Sequence, residues 1–348
     1  MNNFLSEKAK QLTPYVSGLQ PQEPGWIKLN TNENPYPPSP KVAKTLKELD
    51  AANLRLYPDT LGGPLVGAIA QNFGLNEENV FCGNGSDEVL ALAFQAFFSG
   101  KENVFMPDIS YGFYPVWSEM YDVGVKIIPV MEDFSINPGD YKGASGVVIA
   151  NPGAPTSLAL DTDAIETIVR DNSDGVVLVD EAYIDFASVR SALPLLSKYQ
   201  NLLIVRTFSK SHSLAGLRVG YAFGNSGLID ALRRVKDAFN SYPLGMPAQF
   251  GAAQAILDAA FCSQITQKIV ATRENTTRRL RQMGYNVPDS HANFLFVECA
   301  DAKGLFNHLF NHKILVRYWE KPRINRFLRV TIGTDNEMEE FLQCVEQF

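Results

Sequence analysis

Short apolar runs recur along the chain at strand length, at 80–82, 104–106, 125–130, 147–149, 176–179, 202–205 and 219–223. Their apolar residues are consecutive rather than alternating, the pattern of strands covered on both faces. Segments with helical spacing of apolar residues, such as 86–98 and 161–170, lie between several of them. Buried strands alternating with helices predict an α/β unit, a mostly parallel seven-stranded sheet layered with helices, over residues 45–244. Beyond it the pattern changes. Long amphipathic stretches at 246–260 and 262–283 precede strand-like runs at 293–297, 314–317 and 327–332, and a helical pattern at 335–347 closes the chain. This predicts a smaller α+β domain over 245–348, joined by an N-terminal arm, residues 1–44. The proline-rich stretch 34–40 reads as an extended connector.

Composition narrows the class. With 348 residues, 45% of them hydrophobic and 20% charged, the chain is neither disordered nor membrane-like. Its longest apolar stretch, 89–98, contains Gln95 and is too short to span a bilayer. The N-terminus lacks the cationic start and apolar block of a signal peptide, so a cytoplasmic protein with no membrane partner is expected. A net charge of −7 disfavours nucleic acid as a partner. Cys82, Cys262, Cys299 and Cys344 form no Cys-x-x-Cys pair and read as reduced side chains. His308 and His312 are four apart but have no third ligand in a motif; they read as a solvated helix face, and no metal site is expected. His212 reads as a loop residue and His291 as structural.

The chemistry sits at strand ends. Lys210 follows the apolar run 202–205 in Thr207-Phe208-Ser209-Lys210, where burial can strip an amine of its proton and make it a nucleophile. A second run, 175–179, ends in Asp180-Glu181-Ala182-Tyr183. Gly83-Asn84-Gly85-Ser86-Asp87-Glu88 follows a strand and opens a helix, so glycines let the backbone approach an anion at the helix N-terminus. Ser209 and Arg218 flank the lysine with a hydroxyl and a guanidinium. An amine for an aldehyde, a carboxylate for a pyridinium nitrogen and donors for a phosphate together suit pyridoxal 5'-phosphate.

On these residues the chain resembles the fold-type I aminotransferases that use pyridoxal phosphate, and within them it is similar to the histidinol-phosphate aminotransferases. The resemblance implies that Lys210 is catalytic, holding the cofactor as an internal aldimine and then shuttling a proton. It implies that Asp180 pairs with the ring nitrogen, Tyr183 donates to the ring phenolate, and Tyr111 stacks on the ring face. Gly85, Ser86, Ser209 and Arg218 would hold the phosphate, with Asp87 a helix-start residue that orients its neighbours. Tyr57 matches a tyrosine that reaches the cofactor of the neighbouring subunit, which implies a homodimer with shared sites. Arg329 and Arg317, on apolar strands, would take the substrate's anionic group, and Asn30 belongs to a stretch, 29–35, that folds over the pocket. The implied reaction, a step of histidine biosynthesis, moves an amino group between histidinol phosphate and 2-oxoglutarate, giving imidazole acetol phosphate and glutamate through pyridoxamine phosphate. An aromatic amino-acid aminotransferase of the same fold is the alternative. A threonine-phosphate decarboxylase has no residue in its favour, and a cofactor-binding regulator would need a DNA-binding domain for which there is no room.

One departure stands out. Relatives commonly carry Asn-Pro-x-Asn-Pro-Thr-Gly, whose second asparagine donates to the ring phenolate, whereas here the stretch is Asn151-Pro152-Gly153-Ala154-Pro155-Thr156-Ser157. Ala154 cannot donate, so Tyr183 is left as the evident side-chain donor unless Asn151 or a main-chain amide compensates. A less stabilised phenolate is more basic and should hold the imine proton more tightly.

Overall fold

In the computed structural model, which describes residues 4–348, the seven apolar runs all enter one sheet. A short strand, β1 (Ile27–Lys28), precedes them. The seven are β2 (Val80–Asn84), β3 (Val104–Pro107), β4 (Val125–Ile128), β5 (Gly146–Ala150), β6 (Val176–Asp180), β7 (Leu202–Thr207) and β8 (Val219–Gly224). They lie in the order β2-β8-β7-β6-β5-β3-β4. The sheet is parallel from β7 to β4, and β8 runs antiparallel to both of its neighbours, β2 and β7. The apolar run at 125–130 forms a shorter strand than its pattern predicts. β4 is the edge, and it stops at Ile128 opposite Pro107, where its sole partner ends.

Side chains on the central strands divide by parity, as strand geometry requires. Val147, Ile149, Val177, Val179, Leu202 and Ile204 enter one core, with Ile165 and Ile168 of helix Thr162–Asp171 and Ile69 of helix Gly63–Phe73. Val148, Leu178, Leu203 and Val205 enter the opposite core, with Leu90 of helix Gly85–Ala93 and Leu232 of helix Ser226–Phe239. Each such side chain contributes roughly 1.5–3 kcal/mol on burial, so consecutive apolar positions are what a sheet covered on both faces selects.

The C-terminal part has its own core and sheet. β9 (Phe294–Glu298), β11 (Arg317–Tyr318) and β12 (Phe327–Thr331) form an antiparallel sheet in the order β11-β12-β9, while β10 (Ile314–Leu315) pairs in parallel with β1. The apolar run 314–317 is therefore two strands with different partners. Helix Asp335–Glu346 starts with a capping box between Thr334 and Glu337. Leu29 enters this second core, so the N-terminal arm is fastened to the C-terminal part. The boundary drawn at 244/245 falls ahead of helix Met246–Leu257, yet Ala252, Ala253, Ala255 and Ile256 pack in the first core. The helix is lined by small side chains that fit closely against helix Gly63–Phe73, and this packing places it with the large sheet. No helix among the described residues is long and apolar enough to cross a membrane.

Candidate active site

Asp180 ends β6 and Lys210 follows β7, so two adjacent parallel strands deliver both groups to one end of the sheet. There a cavity of about 570 Å³ opens between the large sheet and the C-terminal part, and both residues line it. Of the other residues expected at a site, Asn30, Ser86, Tyr111, Tyr183, Ser209, Arg218, Arg317 and Arg329 also line it. Gly85 adjoins Ser86 at the start of helix Gly85–Ala93. Tyr57 does not line it: the residue is 79% exposed, and its ring stacks on Tyr242 with centroids 4.5 Å apart.

The lysine is half-buried, and its Nζ donates to the Thr31 carbonyl at 3.2 Å and lies 5.8 Å from the centre of the Tyr183 ring. Burial first, and then the positive charge of Arg329, lower its pKa to about 8. Asp180 is buried, and burial raises its pKa to about 6 against the opposing hydrogen bonds from the Tyr114 hydroxyl (2.9 Å) and the Ala182 amide (3.1 Å). Among the described residues it forms no ion pair. The neighbouring carboxylate is treated otherwise. Glu181 accepts from Arg206 Nε at 3.0 Å and Nη2 at 2.8 Å, from Ser191, and from the Ala192 amide at 2.7 Å.

At the other end of the cavity, β8 carries Gly220 against the turn into helix Gly85–Ala93. A Cβ on Gly220 would lie 2.2 Å from the Ser86 amide nitrogen, and one on Gly85, whose φ is +80°, would lie 2.4 Å from Arg218 Nη2. Both positions require glycine for this close approach. Arg218, itself left-handed with φ 53°, reaches Ser209 Oγ at 3.5 Å and Asp87 Oδ2 at 3.1 Å. Asp87 also accepts from the Tyr111 hydroxyl at 2.8 Å, so its carboxylate ties the ring to the guanidinium.

Arg317 and Arg329 face each other across β11 and β12. Like charges directly opposite are destabilising, and among the described residues neither arginine forms an ion pair. Arg329 Nη2 donates to the Asn30 carbonyl at 2.7 Å, its guanidinium lies 5.4 Å from the rings of Phe294 and Trp319, and its buried Nε has no hydrogen-bond partner. Burial pushes its pKa down. Asn30 spends its side-chain amide on the Leu19 carbonyl at 2.9 Å.

Some contributors escaped the sequence reading, and others stood in it only as members of the stretch 29–35. Tyr114, three residues after Tyr111, is buried and holds Asp180; its sequence signal is only a tyrosine in an aromatic cluster. Asn32 donates to the Tyr183 hydroxyl at 3.0 Å, and Asn34 donates to the Lys210 carbonyl at 3.0 Å. Asn151 cannot substitute for the asparagine missing at 154, because Oδ1 accepts from the Leu160 amide at 2.7 Å and Nδ2 donates to the Leu160 carbonyl at 3.1 Å. His212 is buried against Phe208 within its loop, and His291 Nδ1 lies 3.1 Å from Ser188 Oγ. His312 is exposed, as a solvated helix face requires, while His308 is half-buried with Nε2 3.1 Å from the Cys344 carbonyl. Folding brings Cys344 to it, and with His312 the three offer ligand atoms within 4.8 Å of one another.

Comparison with known proteins agrees with this geometry. The family model for class I and II aminotransferases matches residues 24–345. The chain is 46% identical to the histidinol-phosphate aminotransferase of Brachyspira hyodysenteriae over 99% of each sequence. It is 47% identical to that of Lactococcus lactis, over 97% of this chain and 95% of the relative. The pyridoxal-5'-phosphate complex of histidinol-phosphate aminotransferase from Sinorhizobium meliloti superposes with a TM-score of 0.88 over 99% of this chain and 96% of that one; at 22% identity this likeness speaks for the fold. The chain belongs to the class I and II aminotransferases, among the histidinol-phosphate aminotransferases.

Proposed function

We propose that the protein is a pyridoxal-phosphate-dependent transaminase that exchanges an amino group between histidinol phosphate and 2-oxoglutarate in histidine biosynthesis. The observation that carries the substrate assignment is the facing pair Arg317 and Arg329, which has no acidic partner within the described chain and opens on the cavity of Lys210 and Asp180. Two guanidiniums suit a phosphate, and equally the carboxylates of glutamate, so one pair serves both half-reactions.

The residues fit the cofactor. Bound there, pyridoxal phosphate supplies an aldehyde for the Lys210 amine and an electron-withdrawing ring. Asp180 would face the ring nitrogen, Tyr183 the phenolate, and Tyr111 one face of the ring. The phosphate would meet Ser209, Arg218 and the Gly85–Ser86 turn, where glycine at 85 and 220 permits the approach. Lys210, freed from the aldehyde, would carry the proton at the substrate's reacting carbon, and its low pKa suits that exchange near neutral pH. Residues 45–258 would form the cofactor-binding domain, with the arm and the C-terminal part closing the substrate side.

We further propose a homodimer working in the cytoplasm. Tyr57 is exposed, and nearby Leu56 and Phe250, 49% and 39% exposed, line an apolar groove that a second copy would cover. Tyr57 would then reach the partner's site. The reduced state of all four cysteines suits a cytoplasmic setting.

The test is a single-turnover experiment on the protein loaded with pyridoxal phosphate. Histidinol phosphate should bleach the yellow absorbance and 2-oxoglutarate should restore it. If phenylalanine or tyrosine does so more efficiently, the substrate assignment is wrong and the class stands. A protein that stays colourless with added cofactor overturns the class.

A further inference from the structure

Asn32 makes no contact that the proposed chemistry requires directly, yet it is 1% exposed and held in left-handed backbone at φ 56°. Its surroundings fix the direction of every hydrogen bond it makes. The Asn32 main-chain N–H is necessarily a donor, and it donates to Thr331 Oγ1 at 3.0 Å. The Thr331 hydroxyl in turn donates to Asn32 Oδ1 at 3.0 Å. That leaves Nδ2 to face the Tyr183 hydroxyl at 3.0 Å, where it can only donate. Turning the amide round would set Nδ2 against Thr331 and leave that buried hydroxyl proton without its acceptor. Asn293 Nδ2 holds the Asn32 carbonyl at 3.1 Å, and the Thr331 amide donates to the Leu29 carbonyl at 2.9 Å, so the arm is fastened on both sides of the asparagine.

We propose that Asn32 is a positioning residue that sets the polarity of Tyr183, and thereby replaces by relay the donor that Ala154 lacks. A phenol has one proton. Because the Tyr183 oxygen accepts from Asn32, that proton is directed away from Asn32, and Tyr183 lines the cavity where the ring oxygen would lie. A hydroxyl that accepts a hydrogen bond also donates a stronger one. Ala154, buried in the same wall, offers nothing polar, and both ends of the Asn151 amide are committed to Leu160. The relay Thr331–Asn32–Tyr183 is thus the chain's own means of placing a donor at the ring oxygen. The inference rests on reading the cavity as a pyridoxal-phosphate site.

A spectrophotometric pH titration of the cofactor-loaded protein tests it. Asn32→Ala should raise the apparent pKa of the visible chromophore, a roughly three- to tenfold weaker proton dissociation, as expected for one lost hydrogen bond. In a Tyr183→Phe background the same substitution should produce no further change, because the relay acts through the phenol. Thr331→Val should shift the titration in the same direction as Asn32→Ala by freeing the amide to turn; it carries the same cycle if Asn32→Ala fails to fold. Equal shifts with and without the Tyr183 hydroxyl, or none from either variant, would overturn the proposal. If the unmodified protein never turns yellow, the cofactor reading itself has failed. A yellow protein whose cycle shows no coupling overturns only the relay.

Discussion

The amine of Lys210 should react with an aldehyde faster at neutral pH than a surface lysine does, because more of it is neutral there. Burial and the charge of Arg329 bring its pKa to about 8. At pH 7 about one amine in ten is then neutral, against about one in 2,500 for an ordinary lysine near 10.4, a difference of about 200-fold in available nucleophile. The perturbation is Arg329→Met, which removes the second cause and keeps the bulk of the side chain between Phe294 and Trp319. The assay is the pseudo-first-order rate at which cofactor-free protein gains visible absorbance with excess pyridoxal phosphate, between pH 7 and 10. A lysine peptide run alongside corrects for ionisation of the aldehyde's own ring and phosphate. The wild-type rate should rise about tenfold per pH unit below 8 and level off above it. In Arg329→Met the midpoint should move up while staying below 10.4, since burial remains, and the rate at pH 7 should fall. The sign follows from charge: removing a nearby cation makes the ammonium form less unfavourable. A wild-type midpoint at 10 or above, or a midpoint that Arg329→Met leaves unmoved or lowers, would refute the reasoning.

Two further substitutions probe the frame around the site. Gly220→Ala puts a Cβ 2.2 Å from the Ser86 amide and must push the phosphate turn off β8. Overpacking of this kind costs about 1–3 kcal/mol, so pyridoxal phosphate should bind about 5- to 150-fold more weakly by fluorescence titration, and unchanged affinity would separate that turn from the cofactor. Glu181→Ala strands Arg206, whose side chain is 7% exposed, with only Asp185 at 3.6 Å. Urea unfolding should report a loss of about 3–5 kcal/mol, and a loss below about 1 kcal/mol would mean that the pair is not the buried counter-charge described above.

Much of the frame was legible because the relevant forces act along short stretches. Runs such as 176–179 and 202–205 are apolar at every position, and a sheet covered on both faces admits nothing else. Asp180 stood out because a charge directly after such a run lies at a strand end, and Lys210 because it follows a few residues beyond another, in a stretch with a hydroxyl and a guanidinium beside it. What escaped the reading depends on partners distant in the chain. Tyr114 holds Asp180 across 66 positions. Asp87 has the chemistry of a helix start in sequence, and only the fold brings Tyr111 and Arg218 to its two oxygens. In the polar stretch after Leu29, nothing local ranks Asn30 above Asn32. The choice is made when Leu29 and Asn32 bond to Thr331, on a strand 299 positions from Asn32. Helix Met246–Leu257 misled for a related reason: its small residues are buried without a sharp stripe, so its pattern does not say which core it joins.

The contrast between Asp180 and Glu181 carries the functional reading further than either residue does. They are consecutive and both buried, Asp180 ending β6 and Glu181 following it. Glu181 is fully matched by the chain itself, with a guanidinium, a hydroxyl and an amide, and that arrangement holds strands and loop together. Asp180 receives a phenol and an amide and no cation, and its pKa rises to about 6. Lys210 and Arg329 are strained in the opposite sense, each pushed down by burial in the same cavity. Evolution of the fold alone would favour neutralising such groups pairwise, as was done one residue away. Burial of a carboxylate, an amine and a guanidinium around one cavity, without pairing them to each other, is the arrangement expected when the matching charges belong to a bound molecule. A ring nitrogen that carries a proton, an aldehyde that consumes the amine and an anionic substrate group would relieve all three, so binding and catalysis draw on the same electrostatic strain.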